Sequence, residues 1–288
     1  MKMRVLILAV VAACISLPAN AQLNNPNGIL FDSLGNLWVA NYGASQVLEL
    51  NPANGTVLNT ITTGLSSPTR LLFVSGELWV LNTVGNNITA YNDLTLPGAH
   101  LVRTITNSNI SKPLAMAVDA YGDIYIGDNS ENTVFALNIG GGLVETLAKD
   151  NSSYPFTAPG VLAIHGQDIY AGFGGGSGEN AVISYNVGEF LTKDPQEITL
   201  YNDNVNTGPT GVAFDNADNV YISEYYSGTA VRYALGKGTK PTLVINQGTG
   251  GCEGIALDKS GNIYVSNSSL NNITVYGPSG GAPIRTLN

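Results

Sequence analysis

The stretch DKSGNIYVSN (residues 258–267) repeats, with few changes, the stretch DSLGNLWVAN (residues 32–41). Each contains an Asp, then a Gly-Asn pair, then a run of aliphatic and aromatic side chains. Asp and Gly are typical of tight turns, because Asp hydrogen-bonds to the nearby backbone and Gly adopts positive φ angles. The run that follows has the alternation of a strand. The two stretches therefore predict the same hairpin near both ends of the chain.

Four further copies of this strand lie between the two. The six runs are GNLWV (35–39), GELWV (76–80), GDIYI (122–126), QDIYA (167–171), DNVYI (218–222) and GNIYV (261–265). Their aromatic residues are separated by 41, 46, 45, 51 and 43 residues. We therefore expect one structural position to be shared by Trp38, Trp79, Tyr125, Tyr170, Tyr221 and Tyr264.

Three other short apolar runs accompany each copy. One precedes it and begins PNG, PTR, PLA, PGV, PTG or CEG, and two follow it. Gly, Asn, Asp or Pro separates the runs, as expected for antiparallel strands joined by turns. Four strands in each of six units predict an all-β fold, a six-bladed β-propeller of four-stranded antiparallel blades. The predicted blades are residues 26–66, 67–111, 112–157, 158–207, 208–250 and 251–288.

The fourth and the terminal units bear on how the ring is built. The fourth unit lacks the Asp-Gly-Asn turn and carries GFGGGSGEN (172–180) where the others have a short loop. The first and last units each contain their own four runs, and no run is left over to be shared. We therefore expect the propeller to close by direct packing of the sixth blade on the first.

The first 21 residues have the pattern of a secretory signal peptide: two basic residues, the apolar run VLILAVVAA and an Ala-Asn-Ala cleavage site. We expect cleavage before Gln22 and a secreted or periplasmic protein of residues 22–288. The alternative is a lipid anchor at Cys14. The apolar run is too short to span a bilayer, and no other stretch is a candidate transmembrane segment.

Charge and cysteine content restrict the possible partners. The chain has a formal charge of −9 and 11% charged residues. An acidic protein repels phosphate backbones, so a nucleic acid is not expected as a partner. After cleavage Cys252 is the one remaining cysteine, which excludes an internal disulfide. A buried, unreactive side chain is the preferred interpretation of Cys252, and a reactive thiol is the alternative. We expect the protein to be a monomer.

The pattern PNGIxxDxxGNLWVAN, with a following VxxL, resembles the NHL repeat, and residues 26–288 are similar to the gluconolactonase-like six-bladed propellers. This resemblance implies architecture, because one propeller fold serves hydrolases, lyases, sugar binders and passive scaffolds. In the gluconolactonase-like family a Glu, Asn residues and an Asp surround a divalent cation in the channel. The resemblance therefore implies a site for Ca²⁺ or another divalent cation at Asn27 and Glu253, although Thr210 stands where that family has an Asp.

Two sets of positions are expected on one face of the channel, because the first and second strands are antiparallel. The strand-start set is Asn27, Thr69, Leu114, Gly160, Thr210 and Glu253. The strand-end set is Asn41, Asn82, Asp128, Phe173, Glu224 and Asn267. Carboxylate and amide oxygens of such a ring are ligands for hard cations. For the Asn and Asp members of the strand-end set, a structural Asx turn is the preferred interpretation and ligation is the alternative.

Aromatic residues on the same face are a second kind of candidate. Rings there can stack on sugars or anchor a partner, or else pack against neighbouring blades. These rings belong to Tyr42, Phe173, Tyr225 and Tyr226. The predicted ligand-binding residues are Asn41, Tyr42, Asn82, Asp128, Phe173, Glu224, Tyr225 and Asn267. His100 and His165 are expected to be ordinary surface or turn residues, because neither has a Cys, His or carboxylate at metal-ligand spacing. The sequence contains no Ser-His-Asp set, phosphate loop or HExxH motif.

Two functions of different classes are compatible with these patterns. The first is a binding scaffold that presents its channel-face loops to a protein, peptide or glycan. The alternative is a lactone hydrolase or lyase in which a divalent cation polarises a carbonyl and Glu253 acts as the catalytic base. A structural repeat segment of a cell-envelope assembly is a third possibility.

Overall fold

The computed structural model describes residues 23–95, 99–149, 159–173, 181–186, 208–235 and 240–288. The predicted signal peptide, the Gly-rich part of the fourth unit and the run QEITLY (196–201) lie outside these ranges. Within them the chain forms 23 strands and two short 3-10 helices. No helix in these ranges is long and apolar enough to cross a membrane.

The strands follow one another in chain order. The first three sheets contain β1 (Pro26–Phe31), β2 (Leu37–Asn41), β3 (Gln46–Leu50), β4 (Val57–Ile61), β5 (Pro68–Val74), β6 (Glu77–Asn82), β7 (Asn87–Asn92), β8 (His100–Ile105), β9 (Pro113–Val118), β10 (Ile124–Asp128), β11 (Thr133–Leu137) and β12 (Leu143–Lys149). The remaining sheets contain β13 (Pro159–His165), β14 (Asp168–Phe173), β15 (Ala181–Asn186), β16 (Pro209–Phe214), β17 (Asn219–Glu224), β18 (Thr229–Ala234), β19 (Leu243–Ile245), β20 (Cys252–Leu257), β21 (Ile263–Asn267), β22 (Asn272–Tyr276) and β23 (Arg285–Leu287). The 3-10 helices are Tyr42–Ala44 and Ser268–Leu270.

The sheets are the blades of an all-β propeller. Five of them have four antiparallel strands in consecutive order, and the fourth sheet shows β13, β14 and β15 within the described residues. The first strands of successive sheets contact one another from β1 through β5, β9, β13 and β16 to β20, and β20 contacts β1. The first strands thus form a closed ring around a central channel.

Each second strand is buried on both faces, because a neighbouring sheet covers each side. In β2, Leu37 and Val39 cluster with residues of the last sheet, whereas Trp38 and Ala40 cluster with residues of the second. The six aligned aromatic residues occupy the same register against the first strand, and none is more than 5% exposed. The prediction that they share one structural position is confirmed.

The repeated Asp closes the hairpin between the first and second strands. The Oδ1 atom of Asp32 accepts a hydrogen bond from the backbone nitrogen of Asn36 at 2.8 Å, and Oδ2 accepts one from Trp38 Nε1 at 3.1 Å. Asp258 Oδ1 accepts from the nitrogen of Asn262 at 2.9 Å, and Oδ2 accepts from its amide at 2.8 Å. The stretch recurs because its Asp carboxylate fixes both the turn and the side chains that follow it.

The last sheet packs directly on the first, as expected. Ser266 Oγ donates to the carbonyl oxygen of Asn27 at 2.6 Å, and Lys259 Nζ donates to that of Ser33 at 2.9 Å. Leu37 and Tyr264 belong to one buried cluster that joins the two sheets. Each of these two sheets is made of four consecutive strands, so neither borrows a strand from the other end of the chain.

All six first strands have a shift of register at their second residue. Such a β-bulge leaves one residue unpaired and turns its side chain in a new direction. The bulged residues are Asn27, Thr69, Leu114, Gly160, Thr210 and Glu253. These are the strand-start positions, and the bulges direct them toward one end of the channel.

Candidate functional site

The six bulged residues line a single pocket of about 390 Å³ at the mouth of the channel. This volume lies within the range of small-molecule sites. The wall also contains Tyr42, Tyr225, Tyr226, Lys112 and Asn129. The structure thus brings the whole strand-start set together, as the sequence predicts. A second cavity of about 530 Å³, lined by the middle of the first strands, occupies the rest of the channel.

Arg70 lies between these two cavities and lines both. Its Nη1 atom donates to the carbonyl oxygen of Thr69 at 3.0 Å and to the side-chain oxygen of Asn27. Its Nη2 atom donates to the carbonyl oxygens of Gly160 and Thr210, each at 2.7 Å. The three carbonyls belong to bulged residues, whose pairing in the sheet is interrupted. One side chain therefore supplies hydrogen-bond donors to the carbonyl oxygens of three bulged residues and connects four blades.

Arg70 is the functional residue that sequence reasoning missed. The signal was present in the third position of each first strand, where the other blades have small or aliphatic residues. That aligned position contains Gly28, Arg70, Ala115, Val161, Gly211 and Gly254. A single arginine in such a column indicates a cation directed into the channel.

The hydrogen bonds of Arg70 leave little capacity for a ligand. Four N–H groups are used by the protein, and the buried Nε atom has no hydrogen-bond partner. Burial lowers the pKa of Arg70, and the charge of Glu253 opposes that change. An arginine has so high a pKa that it remains protonated in proteins. Arg70 thus contributes a fixed positive charge at the floor of the pocket without offering it accessible donors.

Glu253 is the one carboxylate among the described residues that line the pocket. It is half-buried, and burial raises its pKa to about 7, while the Arg70 charge and the Asn27 side chain act to lower it. A carboxyl group with this pKa exchanges its proton near neutral pH, which is the property required of a general base. Glu253 and Asn27 lie on the sheets that meet at the closure of the ring, as expected.

The pocket does not fit the divalent cation that the resemblance implies. Ca²⁺ requires six to eight oxygen ligands, and Mg²⁺ requires an octahedral set. The oxygens of Asn27, Gly160 and Thr210 already accept hydrogen bonds from Arg70. Within the described residues, no group of three His, Cys, Asp or Glu side chains could hold a metal ion. The guanidinium would also repel a cation placed beside it.

The strand-end set was expected to line the channel as well, but its described members do not line this pocket. Its described members, Asn41, Asn82, Asp128, Glu224 and Asn267, are at most 3% exposed. Asp128 Oδ2 accepts hydrogen bonds from the backbone nitrogens of Ser111 and Lys112, both at 2.8 Å. Asn41, Asn82 and Asn267 likewise accept a hydrogen bond from a backbone nitrogen of the loop before the first strand, whereas Glu224 Oε2 accepts from Ser227 in the turn that follows it and from Thr229 at the end of that turn. Their ligand-binding role stays a prediction, which this burial does not favour, and the side chain of Phe173 lies outside the described part.

Tyrosines form the exposed side of the pocket. Tyr225 is 37% and Tyr226 60% exposed, and their rings meet edge to face with centroids 5.2 Å apart. Tyr225 donates its backbone N–H to the carbonyl of Gly208 at 2.8 Å, and the Tyr226 ring covers Gly208 so closely that a Cβ atom would lie 2.5 Å from it. Glycine at this position allows the ring to lie on the backbone. Of the predicted ligand-binding residues, Tyr42 and Tyr225 line the pocket.

The remaining candidates lie away from the pocket. His100 is largely exposed, 3.5 Å from Asp93, and His165 stacks on Phe214 with ring centroids 4.3 Å apart. Neither histidine lines the channel mouth. Burial raises the pKa of Cys252 to about 12, so its thiol stays protonated, in agreement with an unreactive side chain.

Comparison with solved structures places the fold among known propellers. A virginiamycin B lyase from Staphylococcus aureus superposes with a TM-score of 0.61 at 17% identity, covering 89% of this chain and 83% of the lyase. A catalytically inactive histidine-to-alanine variant of that lyase, with Quinupristin, gives 0.64 at 16% identity, covering 92% and 85%. A streptogramin B lyase gives 0.61 at 12% identity, covering 87% and 93%.

Sequence comparisons add no family assignment, because neither a protein-family model nor a curated protein matches the chain. Membership of the NHL-repeat family therefore stays a prediction. At identities of 12–17% the structural likeness shows the fold alone. The chain shares the β-propeller architecture of these lyases.

Proposed function

We propose that this protein is a secreted or periplasmic, six-bladed propeller of the NHL type that binds a ligand in its channel-mouth pocket without a divalent cation. The observation that carries this proposal is the position of the Arg70 guanidinium. It donates hydrogen bonds to the side-chain oxygen of Asn27 and to the carbonyl oxygens of Gly160 and Thr210, at the place where the gluconolactonase-like resemblance implies a cation. A preformed pocket that has exposed tyrosines and whose oxygens are engaged by Arg70 favours binding.

The six-blade count and the secretion signal are parts of the same proposal. Six first strands form the ring, and the fourth strand that the sequence predicts for the fourth unit, QEITLY (196–201), lies outside the described residues. The Ala-Asn-Ala site predicts that the mature chain begins at Gln22. Amino-terminal sequencing of the exported protein tests that boundary, and a lipidated Cys14 would replace it with an anchored form.

A second candidate function is enzymatic, and the Glu253 carboxyl is the observation that favours it. Its pKa of about 7 suits a general base, and it faces a pocket in a fold that lyases share. In one of those lyases, however, replacement of a histidine is described as catalytically inactivating. Neither histidine of this chain lines the described pocket. Glu253 would therefore have to act without a histidine or a cation.

Thermal melting with added cations tests the cation-free part of the proposal. The protein is stripped with EDTA and melted with and without Ca²⁺, Mg²⁺, Mn²⁺ and Zn²⁺. A ligand that binds only the folded state raises the melting temperature by mass action. We expect no shift with any of the four cations.

A shift of several degrees with one cation, lost in Glu253→Gln, would overturn the cation-free proposal. Lactone hydrolysis or streptogramin cleavage that also disappears in Glu253→Gln would establish the enzymatic candidate instead. Glutamine preserves the shape of the side chain and removes the titrating group, so a folded but inactive variant would identify the base.

A further inference from the structure

We propose that the ligand of the channel-mouth pocket is a neutral carbohydrate that lies against Tyr225 and Tyr226 and hydrogen-bonds to Glu253. This proposal rests on the binding function proposed above and names the class of ligand. It follows from the charges, the aromatic surface and the unused polar groups of the described pocket.

The charges of the pocket disfavour both kinds of ion. An anion would find no accessible donor on Arg70, because four N–H groups bind the protein and Nε is buried. The anion's one cationic partner among the described wall residues would be Lys112, and the Glu253 carboxyl lies in the same wall. A cation would meet the fixed charge of Arg70 at the floor and that of Lys112 in the wall. A ligand without net charge avoids both penalties.

The tyrosine pair provides a preformed apolar surface with polar edges. The two rings are perpendicular, at 89°, and the Tyr226 ring is held against the backbone of Gly208. Tyrosine combines a flat hydrophobic body with a hydroxyl group and loses little conformational entropy on binding. A pyranose ring has C–H faces that pack on such a surface and hydroxyl groups around its rim.

The threonine hydroxyls of the pocket are already engaged with the protein. Thr83 Oγ1 donates to the carbonyl of Pro113 at 2.6 Å, and Thr210 Oγ1 donates to that of Cys252 at 2.6 Å. The polar groups of the pocket that remain for a ligand therefore include the Glu253 carboxyl, the tyrosine hydroxyls and the side chains of Lys112 and Asn129. A carboxyl group accepts from several sugar hydroxyls at once, which suits a polyhydroxylated ligand.

The experiment is a glycan array with neutral, sialylated, uronic-acid and sulfated glycans, followed by calorimetric titration of each hit. It uses the purified protein and three variants: Tyr226→Ala, Glu253→Gln and the matched control Tyr121→Ala. Tyr121 is 90% exposed in the turn between β9 and β10, at the opposite end of the channel. We expect neutral glycans to bind, with affinity about tenfold weaker in Tyr226→Ala and in Glu253→Gln and unchanged in Tyr121→Ala.

The outcomes distinguish failure of the carbohydrate proposal from failure of the binding function on which it rests. Binding restricted to sialylated or sulfated glycans, or neutral binding that is equal in Tyr226→Ala, would overturn the carbohydrate site. A peptide library that yields ligands dependent on Tyr226, with no neutral glycan bound, would overturn the carbohydrate and keep the binding function. If neither glycans nor peptides depend on Tyr226, both proposals are overturned.

Discussion

Two rings of polar side chains surround the channel mouth, and they have different environments although the sequence motifs that contain them are adjacent. The strand-start ring, represented by Asn27 and Glu253, lines the pocket. The strand-end ring, represented by Asn82 and Asn267, is fully buried beside it. The bulge at the start of each first strand makes this difference, because it turns one residue of every blade toward the channel.

The comparison also shows how each ring satisfies its hydrogen bonds. The amide of Asn267 donates to Asn272 Oδ1 at 2.9 Å and to Thr274 Oγ1 at 3.0 Å, and its oxygen accepts from the nitrogen of Gly250 at 3.1 Å. The strand-end ring is thus saturated locally, within one blade and its loop. The strand-start ring instead depends on Arg70, which reaches across the channel to the carbonyls of other blades.

The largest effect on stability is expected from the variant that breaks the connection across the channel. Arg70→Ala removes the hydrogen bonds to four blades and leaves buried carbonyls without donors, so we expect a loss of about 3–5 kcal/mol in the free energy of unfolding. Denaturant unfolding measures it. Arg103→Ala is the matched control, because Arg103 is 38% exposed and its ion pair with Glu77 should contribute at most about 1 kcal/mol. Equal losses in the two variants would contradict the role of Arg70.

The next effect isolates the strand-end ring. Asn267→Ala removes the hydrogen bonds of a buried amide to Gly250, Val265, Asn272 and Thr274, and we expect it to destabilise the fold by about 2–3 kcal/mol while ligand affinity is unchanged. The exposed Asn216, in the hairpin turn after β16, provides the control substitution Asn216→Ala, which should change stability by less than about 0.5 kcal/mol. A ligand affinity that falls in proportion to stability would place Asn267 in the binding site after all.

The third prediction concerns the ionisation of the strand-start ring. The folded-state pKa of Glu253 is raised to about 7 from 4.5, so the folded protein holds this proton more tightly than the unfolded chain. Stability from this group is therefore present below about pH 4.5 and is lost as the pH rises through about 7. Relative to Glu253→Gln, the wild type should lose about 1–3 kcal/mol between pH 5 and pH 9 in denaturant unfolding. A difference between the two proteins that does not vary with pH would show that Glu253 is not desolvated.

The smallest effect lies at the far end of the blades from both rings. Asp258→Ala removes the carboxylate that closes the last hairpin, and we expect a cost of about 1 kcal/mol, measured as a lowered melting temperature. Asp258→Asn keeps the shape and the acceptor for the Asn262 backbone nitrogen but not the one for its amide, so it should recover about half of the loss. If both substitutions are neutral, the repeated Asp serves a purpose other than closing the turn.

Much of the fold was predictable from the sequence, and the site only in part. The hairpins at Asp32 and Asp258 depend on contacts within a few residues, so a short sequence motif is enough to predict them. Asn27 and Glu253 were placed together correctly, because the blade repeat determines where each first strand starts. Arg70 is not among the predicted site residues, since its partners Gly160 and Thr210 are 90 and 140 residues away in the chain.

By itself, the sequence determined the repeating hairpin, the alternation that buries the second strand between neighbouring blades, and the order of the sheets, because these follow from short-range periodicity and turn chemistry. Only the tertiary structure decided which polar ring faces the pocket and which is buried, since that depends on bulges and on loops folding over the strand ends. It also decided that a guanidinium crosses the channel. Closing the ring brings carbonyls from distant blades within reach of one side chain, and no short-range sequence pattern predicts that these groups become neighbours.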